Sequence, residues 1–421
     1  MKKSKTGFRL AAAACAGAMV LAACSSGSDD DKKEDIAKGD GEFIVGSLLP
    51  QTGSLAFLGP PEIAGVNLAV EEINEAGGVL GKPVRHVDAD SGDTDSGIAP
   101  AETDKLLKAG VDVIVGAASS GVSLTVIDKI LDSGTIMISP ANTSTAFDEA
   151  PYDKPDLYFR TAPSDVLQGA VMANLLIEDG RKNVAIMARQ DSYGQVLAEQ
   201  VEKGLKDAGS KIAVTTFYGE KAKNFDTEIG KVAAAKPDAL VLIAFDETTK
   251  IIPGLVAEGV GPKNLPTYFV DGNTANYGPD SSTPLPEGIL EGVKGTVPGV
   301  EAPEGFRDRL LKIDPKLDNF TYAAEAYDAT ILTALAAVAA KNDSGEGVAS
   351  EMVKISSDGT KCTGFKECAD LLEDGEDLDY DGLSGPIAFS ELGSPTEASI
   401  GIYLYGKDNN NTAVKFISGK I

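Results

Sequence analysis

Two clusters of small polar residues stand directly after apolar, strand-like runs and have the chemistry to hold an anion. The first, Gly-Ala-Ala-Ser-Ser-Gly at 116–121, follows a run that ends at Val115 and precedes a helical pattern. The second, Ser-Pro-Ala-Asn-Thr-Ser at 139–144, follows the next strand in the same way. Free backbone N–H groups at a helix start, together with a hydroxyl, make a site for a carboxylate. The same residues also serve as ordinary helix caps, so both interpretations stand at this point.

The residue types needed for catalysis or metal binding do not assemble into a convincing pattern. His86, the only histidine, lies in a strand-like run, and no Gly-x-Ser-x-Gly segment supplies a nucleophile. Segment 77–82 resembles a phosphate loop but is one residue short, and Pro83 follows where a Ser or Thr must bind magnesium. An acidic cluster could bind calcium, but it lacks the closing Glu of a calcium loop, and solvated loop carboxylates are commoner. That cluster comprises Asp88, Asp90, Asp93 and Asp95. We therefore predict a protein that is not an enzyme and carries no metal or cofactor.

Short β-branched runs alternate with longer amphipathic stretches from residue 42 onward. The stretch 61–76 places Val66, Val70 and Ile73 on one helical face before two glycines end it. The strand-like runs are 43–49, 84–87, 111–115, 135–138, 184–187, 212–217, 239–244 and 267–270. This alternation predicts an α/β fold with parallel sheets covered on both faces, and such sheets bind ligands at the carboxyl ends of their strands.

Breaks in the alternation indicate two doubly wound lobes. The breaks fall near residues 158–161, 288–299 and 396–399, and we interpret them as three hinge crossings. The first lobe then takes residues 42–163 and 290–396, and the second takes 164–289 and 397–421. Two lobes joined in this way form a cleft that opens and shuts.

The amino terminus has the pattern of an exported, lipid-anchored protein. Positive residues precede an uncharged run from Leu10 to Ala23 that is too short to cross a bilayer, as in a secretory signal. Small residues then lead into Cys24, which resembles a lipoprotein signal with Cys24 acylated; an ordinary cleaved signal with a chance cysteine is the alternative. Residues 24–41 are almost free of apolar side chains and predict a disordered tether. We expect residues 1–23 to be removed and the protein to sit at the extracytoplasmic face of the cell membrane.

Net charge and the remaining cysteines further limit the classes of protein to which this chain can belong. The formal charge of −26 becomes −30 once the four positive residues of the signal are removed, which argues against nucleic acid as a partner. Cys362 and Cys368 are the only cysteines left besides Cys24 in the mature chain. In an exported protein they are expected to form a disulfide; two free thiols or a metal pair are weaker alternatives.

Ordered motifs through the mature chain resemble the periplasmic leucine/isoleucine/valine-binding protein family, the type I solute receptors of ABC importers. The opening motifs are Gly-Ser-Leu-Leu-Pro-Gln-Thr-Gly at 46–53 and Ala-Val-Glu-Glu-Ile-Asn-Glu-Ala-Gly-Gly-Val-Leu-Gly at 69–81. Further matches follow in order at 119–121, 138–141, 159–165 and 191–194. The resemblance implies a type I periplasmic binding protein fold, with two parallel-sheet lobes joined by a three-crossing hinge.

The resemblance also implies roles for individual residues. By this resemblance, the ligand's carboxylate is bound by Ser120, Ala141 and Thr143. Its ammonium is bound by Asp165 and Asp271. Many relatives have glutamate at the position of Asp271, so the shorter aspartate implies contact through water or a displaced ligand. The family positions that surround the ligand's side chain correspond to Phe57, Leu58, Tyr193, Phe245 and Tyr322. Each of these residues could instead simply pack in the core. Leu58 and Phe245 lack hydroxyls found in relatives, which favours an apolar ligand side chain.

These expectations combine into a hinged clamp for a small amino acid, branched-chain or otherwise apolar. The protein would be a monomeric substrate-binding lipoprotein that passes its ligand to the permease of an ABC importer. Two alternatives remain open: the clamp binds an amide, urea or aromatic acid, or the protein is a surface sensor for such a ligand. A hydrolase is disfavoured by the lone histidine and the missing nucleophile motif.

Overall fold

The computed structural model describes residues 36–152, 157–300, 302–303 and 305–421. The predicted signal segment and the lipidation site Cys24 lie outside the described residues. The amino-terminal elements are β1 Ile44–Leu49, α1 Gly59–Glu75, β2 Arg85–Asp90, α2 Ala99–Lys108, β3 Val113–Gly116, α3 Ser120–Asp132, β4 Ile136–Ser139 and β5 Tyr158–Arg160. The five strands form one parallel sheet in the order β2-β1-β3-β4-β5. The predicted strands of this half of the chain are confirmed.

A second sheet follows from the next stretch of chain. Its elements are α4 Asp165–Glu178, β6 Asn183–Arg189, α5 Gly194–Asp207, β7 Lys211–Tyr218, α6 Asp226–Ala235, β8 Ala239–Ile243, α7 Thr248–Ala257, β9 Thr267–Phe269 and β10 Lys294–Pro298. These five strands run parallel to their neighbours. Helix α4 begins at Asp165 and ends at Glu178, and most of the residues between them are apolar.

The last third of the chain returns to the first sheet and ends in the second. Its elements are α8 Phe306–Ile313, α9 Ala323–Ala340, α10 Gly345–Met352, β11 Thr360–Cys362, α11 Phe365–Glu373, β12 Leu378–Gly382, β13 Gly385–Pro386, β14 Glu397–Tyr405 and β15 Asn411–Lys420. Strands β14 and β15 add to β10 in antiparallel fashion, giving a seven-stranded sheet in the order β15-β14-β10-β9-β8-β6-β7. Strands β11–β13 form a small third sheet.

Strand pairing moves one predicted lobe boundary. The sequence placed residues 290–396 in the first lobe, but β10 pairs with β9 and β14 and therefore belongs to the second sheet. Strands β14 and β15 also extend the second sheet, and they lie in the range 397–421 that the sequence assigned to the second lobe. We name the elements from β1 to β5 and from α8 to β13 the first lobe, and those from α4 to β10 together with β14 and β15 the second lobe. This division remains our proposal.

Helices α1 and α9 form the centre of the first lobe. Apolar residues of both helices lie in one buried cluster with strands β1, β3 and β4. The helices approach closely at Gly65, where an added Cβ would lie 2.3 Å from the carbonyl oxygen of Ala323. Helix α1 ends before Gly77 and Gly78, both of which have positive φ, a conformation that costs glycine little.

Helix α9 satisfies the length and hydropathy of a membrane span, and it is the only such helix among the described residues. Its residues from Ala326 to Ala337 are nevertheless buried in the protein. Helix α9 is therefore a core helix of the first lobe.

The end of the predicted tether contacts the first lobe earlier than expected. The backbone N–H of Gly39 donates to Asn342 Oδ1 at 2.8 Å, and the N–H of Ala37 donates to Glu346 Oε2 at 3.0 Å. Ser344 Oγ donates back to the carbonyl of Ala37 at 2.7 Å. Backbone hydrogen bonds rather than buried apolar side chains hold this segment. A prediction based on the burial of side chains does not detect such bonds.

Cys362 and Cys368 form a disulfide that closes a loop with a sequence separation of 6. Both cysteines are buried beside α9. A cross-link over a loop this short restricts the unfolded chain by about 2 kcal/mol. We expect the double variant Cys362→Ala/Cys368→Ala to lose about that free energy of unfolding in urea titrations. Wild-type protein kept under reductant is the matched control, and an unchanged free energy in both samples would contradict the expectation.

Candidate functional site

The first lobe contributes the start of helix α3 to the cleft between the lobes. Strand β3 ends at Gly116, and the chain turns through Ala117 and Ala118 into the helix. Ser119 is the N-cap, and its hydroxyl accepts from the N–H of Val122 at 3.4 Å. Ser120 is the first helical residue and lines a cavity between the lobes. The first N–H groups of a helix have no partner within it and carry the positive end of its dipole, so this end favours an anion.

The loop after β4 is fastened to the loop after β3. Ser139 Oγ accepts from the N–H groups of Ala141 and Asn142 at 3.2 and 2.9 Å. The side-chain amide of Asn142 donates to the carbonyls of Ala117 and Ala118, each at 3.0 Å. Ala141 thereby lines the same cavity as Ser120. The hydroxyl of Thr143 is buried and has no hydrogen-bond partner among the described residues.

The second lobe contributes two buried carboxylates. Asp271 Oδ1 accepts from Tyr193 at 2.6 Å and from Gln168 at 2.9 Å, and its Oδ2 accepts from Tyr322 at 2.8 Å. Neither carboxylate oxygen of Asp165 makes a hydrogen bond of good geometry among the described residues, although the Thr143 hydroxyl lies near enough to lower the pKa of this carboxyl in part. Tyr322 lies in the first lobe, so its bond to Asp271 crosses the cleft.

The environment of these two carboxylates opposes their ionisation. Burial raises the pKa of Asp165 well above its ordinary value, and the charge of Asp271 raises it further. Burial also raises the pKa of Asp271, although the hydrogen bonds from Tyr193, Gln168 and Tyr322 lower it in part. A cation placed between them would favour their ionised forms and so offset both shifts.

Aromatic and aliphatic side chains form the rest of the cavity wall. Phe245 stacks on Tyr193 with ring centroids 5.5 Å apart, and the guanidinium of Arg189 lies 3.6 Å from the Phe245 centroid on its ring face. Arg189 is itself held by Asp191 and by Glu247, the latter at 2.6 Å. Phe245 is therefore fixed in orientation by a buried cation and a second ring.

The cavity enclosed by these residues measures about 10 Å³. That is room for roughly one water molecule. An amino acid could reach this place only when the lobes separate.

Seven of the ten predicted site residues line this cavity and three do not. The seven are Leu58, Ser120, Ala141, Tyr193, Phe245, Asp271 and Tyr322. Thr143 and Asp165 lie just behind it, joined by the bond from the Asp165 N–H to the Thr143 carbonyl at 2.7 Å. Phe57 lies outside it and lines a neighbouring pocket. The ligand-binding roles of all ten remain predictions.

Sequence reasoning missed other residues of this region. Leu55 lines the cavity, Gln168 and Arg189 support Asp271 and Phe245, and the buried hydroxyl of Ser192 has no partner. A weak signal was available for Gln168, which follows Asp165 by three residues and so faces the same side of α4.

The histidine and its neighbours do not form a catalytic triad. His86 Nε2 lies 2.9 Å from Ser47 Oγ and 3.2 Å from Asp88, while its Nδ1 is bonded to Asn67 at 2.8 Å. In a triad the acid holds the nitrogen opposite the serine, whereas here Asp88 and Ser47 share one nitrogen. Ser47 is also fully buried, and burial lowers the pKa of His86.

The acidic cluster considered for calcium is occupied by protein donors. Asp90 accepts from the backbone N–H groups of Gln51, Thr52 and Gly92, and these bonds lower its pKa although burial opposes them. Asp93 accepts from the N–H groups of Ser54 and Ser96. No group of three potential metal-binding side chains exists among the described residues.

Comparison with known proteins places this architecture. Residues 43–393 match a family model described as periplasmic binding protein. The chain belongs to the periplasmic binding protein family. This periplasmic binding protein has the α/β architecture with parallel sheets that the family resemblance implied.

The relatives include several amino-acid receptors. The chain is 26% identical over 377 residues to the leucine-, isoleucine-, valine-, threonine- and alanine-binding protein of Pseudomonas aeruginosa, covering 87% of this chain and 90% of that protein. It is 26% identical over 356 residues to the chemotactic signal transduction system substrate-binding protein BasB of Halobacterium salinarum, covering 82% of each.

Solved structures share the fold of this periplasmic binding protein. The branched-chain amino acid transporter substrate-binding protein LivJ of Streptococcus pneumoniae, solved with isoleucine, superposes with a TM-score of 0.70 at 21% identity, covering 90% of this chain and all of that one (100%). A solute-binding protein of Rhodopseudomonas palustris, solved with benzoate, superposes with a TM-score of 0.70 at 17% identity, covering 90% and 98%. At identities this low, the structural similarity establishes only the fold. The ligand has to be inferred from the residues of the site.

Proposed function

We propose that this protein binds a small amino acid with an apolar side chain in the cleft and delivers it to an ABC importer. The observation that carries the proposal is the buried pair Asp165 and Asp271, of which Asp271 lines the interlobe cavity together with Ser120 at the start of α3. The two walls supply opposite halves of the solvation that a zwitterion needs. The proposed action is binding and release, with no covalent step.

The charge balance of the second lobe favours an ammonium group. Two carboxylates that are both fully buried cannot be ionised together without a compensating cation, since each is costly to desolvate. Among the described residues, no lysine or arginine forms an ion pair with either of them. An ammonium from the ligand would permit both to ionise, and each would then gain a charge-assisted hydrogen bond.

The first lobe favours a carboxylate by neutral donors. Ser120 at the first turn of α3 lines the cavity, and the buried Thr143 hydroxyl lies close to the Asp165 carboxylate. Neutral donors at a helix start stabilise an anion without a buried counter-charge.

The remaining wall favours an aliphatic side chain. Leu55, Leu58 and the Phe245 ring offer no hydrogen-bond donor or acceptor to a polar ligand group. A ligand hydroxyl or amide would lose its water here without a replacement. The name of the Pseudomonas relative, which includes leucine, isoleucine and valine, supports this preference.

Binding and closure are coupled in this proposal because several contacts join the lobes. Ser144 Oγ donates to the carbonyl of Ser192 at 2.8 Å, and the N–H of Asp246 donates to the carbonyl of Ser54 at 3.3 Å. The hydroxyl of Thr94 also donates to Glu220. A ligand that adds bonds to both walls would favour a closed arrangement, with a larger cavity than the present one, over an open arrangement.

We further infer that the protein acts outside the cell, anchored through Cys24. Support comes from the lipoprotein-like order of the first 24 residues and from the disulfide, which is typical of oxidising compartments. The wild-type chain should fractionate with membranes, and Cys24→Ala should release it; a wild-type chain found only in the soluble fraction would contradict the anchor.

A ligand series tests the proposed function. Leucine, isoleucine, valine and alanine are compared by thermal shift and calorimetry with 4-methylpentanoate, which is leucine without its ammonium, and with isopentylamine, which lacks the carboxylate. Only the complete amino acids should raise the melting temperature, because a ligand that binds the folded state stabilises it. The same screen includes urea, aliphatic amides, benzoate and 4-hydroxybenzoate. Tight binding of 4-methylpentanoate or benzoate, with none of leucine, would overturn the proposal.

A sensing role is the second candidate, favoured by the similarity to BasB. A sensor and an importer component would bind the same ligand, so binding does not separate them. Deleting the gene distinguishes the two: loss of labelled leucine uptake indicates import, and loss of a behavioural or transcriptional response with uptake intact indicates sensing.

A further inference from the structure

Gln168 is completely buried on α4 and has an unusual division of its hydrogen bonds. Its Nε2 donates to Asp271 Oδ1 at 2.9 Å and to Thr296 Oγ1 at 3.2 Å. Its Oε1 is buried and has no donor among the described residues. One end of the amide therefore holds Asp271 in place while the other end is an unused acceptor.

The unused acceptor is part of a larger group. Nine buried side-chain oxygens of the described residues lack a partner, and five of them belong to residues next to the interlobe cavity, although none of these residues lines it. Those five are Thr143 Oγ1, Asp165 Oδ1, Asp165 Oδ2, Gln168 Oε1 and Ser192 Oγ. Asp165 and Gln168 are three residues apart on one helix, so their side chains face the same side. Asp271 adjoins both, through its bond to Gln168 and through its charge on Asp165.

Three side chains thus offer acceptors at the end of the cleft assigned to the ligand's ammonium. Carboxylates and amide carbonyls accept hydrogen bonds and donate none in these states. A primary ammonium has three N–H donors, and an acceptor buried without one is costly.

We propose that Gln168 determines specificity for a primary amine: its Nε2 positions Asp271 and its Oε1 accepts one N–H of the bound ammonium. The inference rests on the proposed function, because it concerns the same cleft. Its consequence is selection against N-methylated amino acids and against proline. The ammonium of each of these ligands has one N–H fewer than a primary ammonium, and a carbon atom would face the third acceptor instead.

The matched pair leucine and N-methylleucine tests the assignment by calorimetry on the wild-type protein. We expect leucine to bind at least about 100-fold more tightly, because the methyl group both removes a donor and meets a buried acceptor. Binding of N-methylleucine within threefold of leucine would overturn the assignment without the use of any variant.

Variants separate a specificity role from a structural one. Gln168→Met has a similar volume and removes both the donor and the acceptor, so leucine affinity should fall and the leucine preference should shrink about tenfold or more. Thr296→Val removes the other partner of Gln168 and leaves Oε1 in place, so the preference should be unchanged. A merely structural glutamine would lower stability in urea while leaving the preference intact in Gln168→Met, and that result would overturn the proposal. If the wild-type protein binds neither leucine nor N-methylleucine, the proposed function fails and this inference fails with it.

Discussion

Asp165→Asn and Asp271→Asn should each weaken leucine binding about 100-fold or more and should make the ligand-free protein more stable. The first effect follows because removing one charged partner from a buried pair costs about 3–5 kcal/mol, and the ammonium would lose one of two carboxylates. The second follows because burial and mutual repulsion oppose ionisation of Asp165 and Asp271 in the ligand-free protein. Stability and affinity are thus expected to move in opposite directions.

Calorimetry with leucine measures the affinities, and urea titrations of ligand-free protein measure the stabilities. Asp95→Asn is the matched control, since it removes the same charge from a half-exposed carboxylate that pairs with Lys221 at the mouth of the cleft. Its leucine affinity should stay within about twofold of wild type, as expected for a screened surface pair. Leucine affinity that is unchanged in both Asp165→Asn and Asp271→Asn would remove the ammonium from this wall of the cleft.

Glu325 should make the folded protein less stable as pH rises from about 4.5 to about 8. Glu325 on α9 and Glu62 on α1 are buried between the helices of the first lobe, and neither oxygen of Glu62 has a partner among the described residues. Burial raises the pKa of Glu325 from 4.5 to about 8. Burial, and then the charge of Glu325, raises the pKa of Glu62 as well.

The sign of the pH effect follows from the protons bound in each state. Below pH 4.5 Glu325 is protonated whether the chain is folded or unfolded, so it contributes no pH dependence. Between 4.5 and about 8 the unfolded chain has released the proton and the folded chain holds it, so stability falls with rising pH. Above the folded pKa the contribution is constant.

Comparison with Glu325→Gln isolates this contribution from other titrating groups. Glutamine stays neutral at all these pH values. The free energy of unfolding of the variant, relative to that of the wild type, should therefore rise by roughly 2 kcal/mol or more between pH 5 and pH 8 in urea titrations. Using the difference between two chains cancels the contributions of Asp112, Asp165 and Asp271, whose pKa values burial also raises. Parallel pH curves for the two chains would contradict the assignment.

The regular elements followed from the sequence where local pattern alone decides them. Strands β1 to β4 and β6 to β9 correspond to apolar runs that are visible over a few residues, whereas β5 lies where the sequence indicated a hinge crossing. Strand β10 was placed in the wrong lobe because membership of a sheet depends on pairing with β9 and β14, which are distant in the chain. Strands β14 and β15 were missed as an antiparallel addition, since alternating α/β patterns predict only parallel neighbours.

The site was predictable to the extent that it lies at strand ends. Ser120 and Ala141 follow β3 and β4, and the carboxyl ends of parallel strands are where such sheets bind ligands. Phe57 lines a neighbouring pocket, because a neighbouring loop position does not determine which pocket a ring enters. The stacking of Arg189 on Phe245 joins β6 to the loop after β8, and no local pattern announces such a contact.

A crystal structure of the protein with bound leucine tests the central claim most directly. We expect the ligand nitrogen within about 3 Å of carboxylate oxygens of both Asp165 and Asp271, and its carboxylate against Ser120 at the start of α3. A leucine whose carboxylate faces the two aspartates, or one bound outside the cleft, would contradict the account.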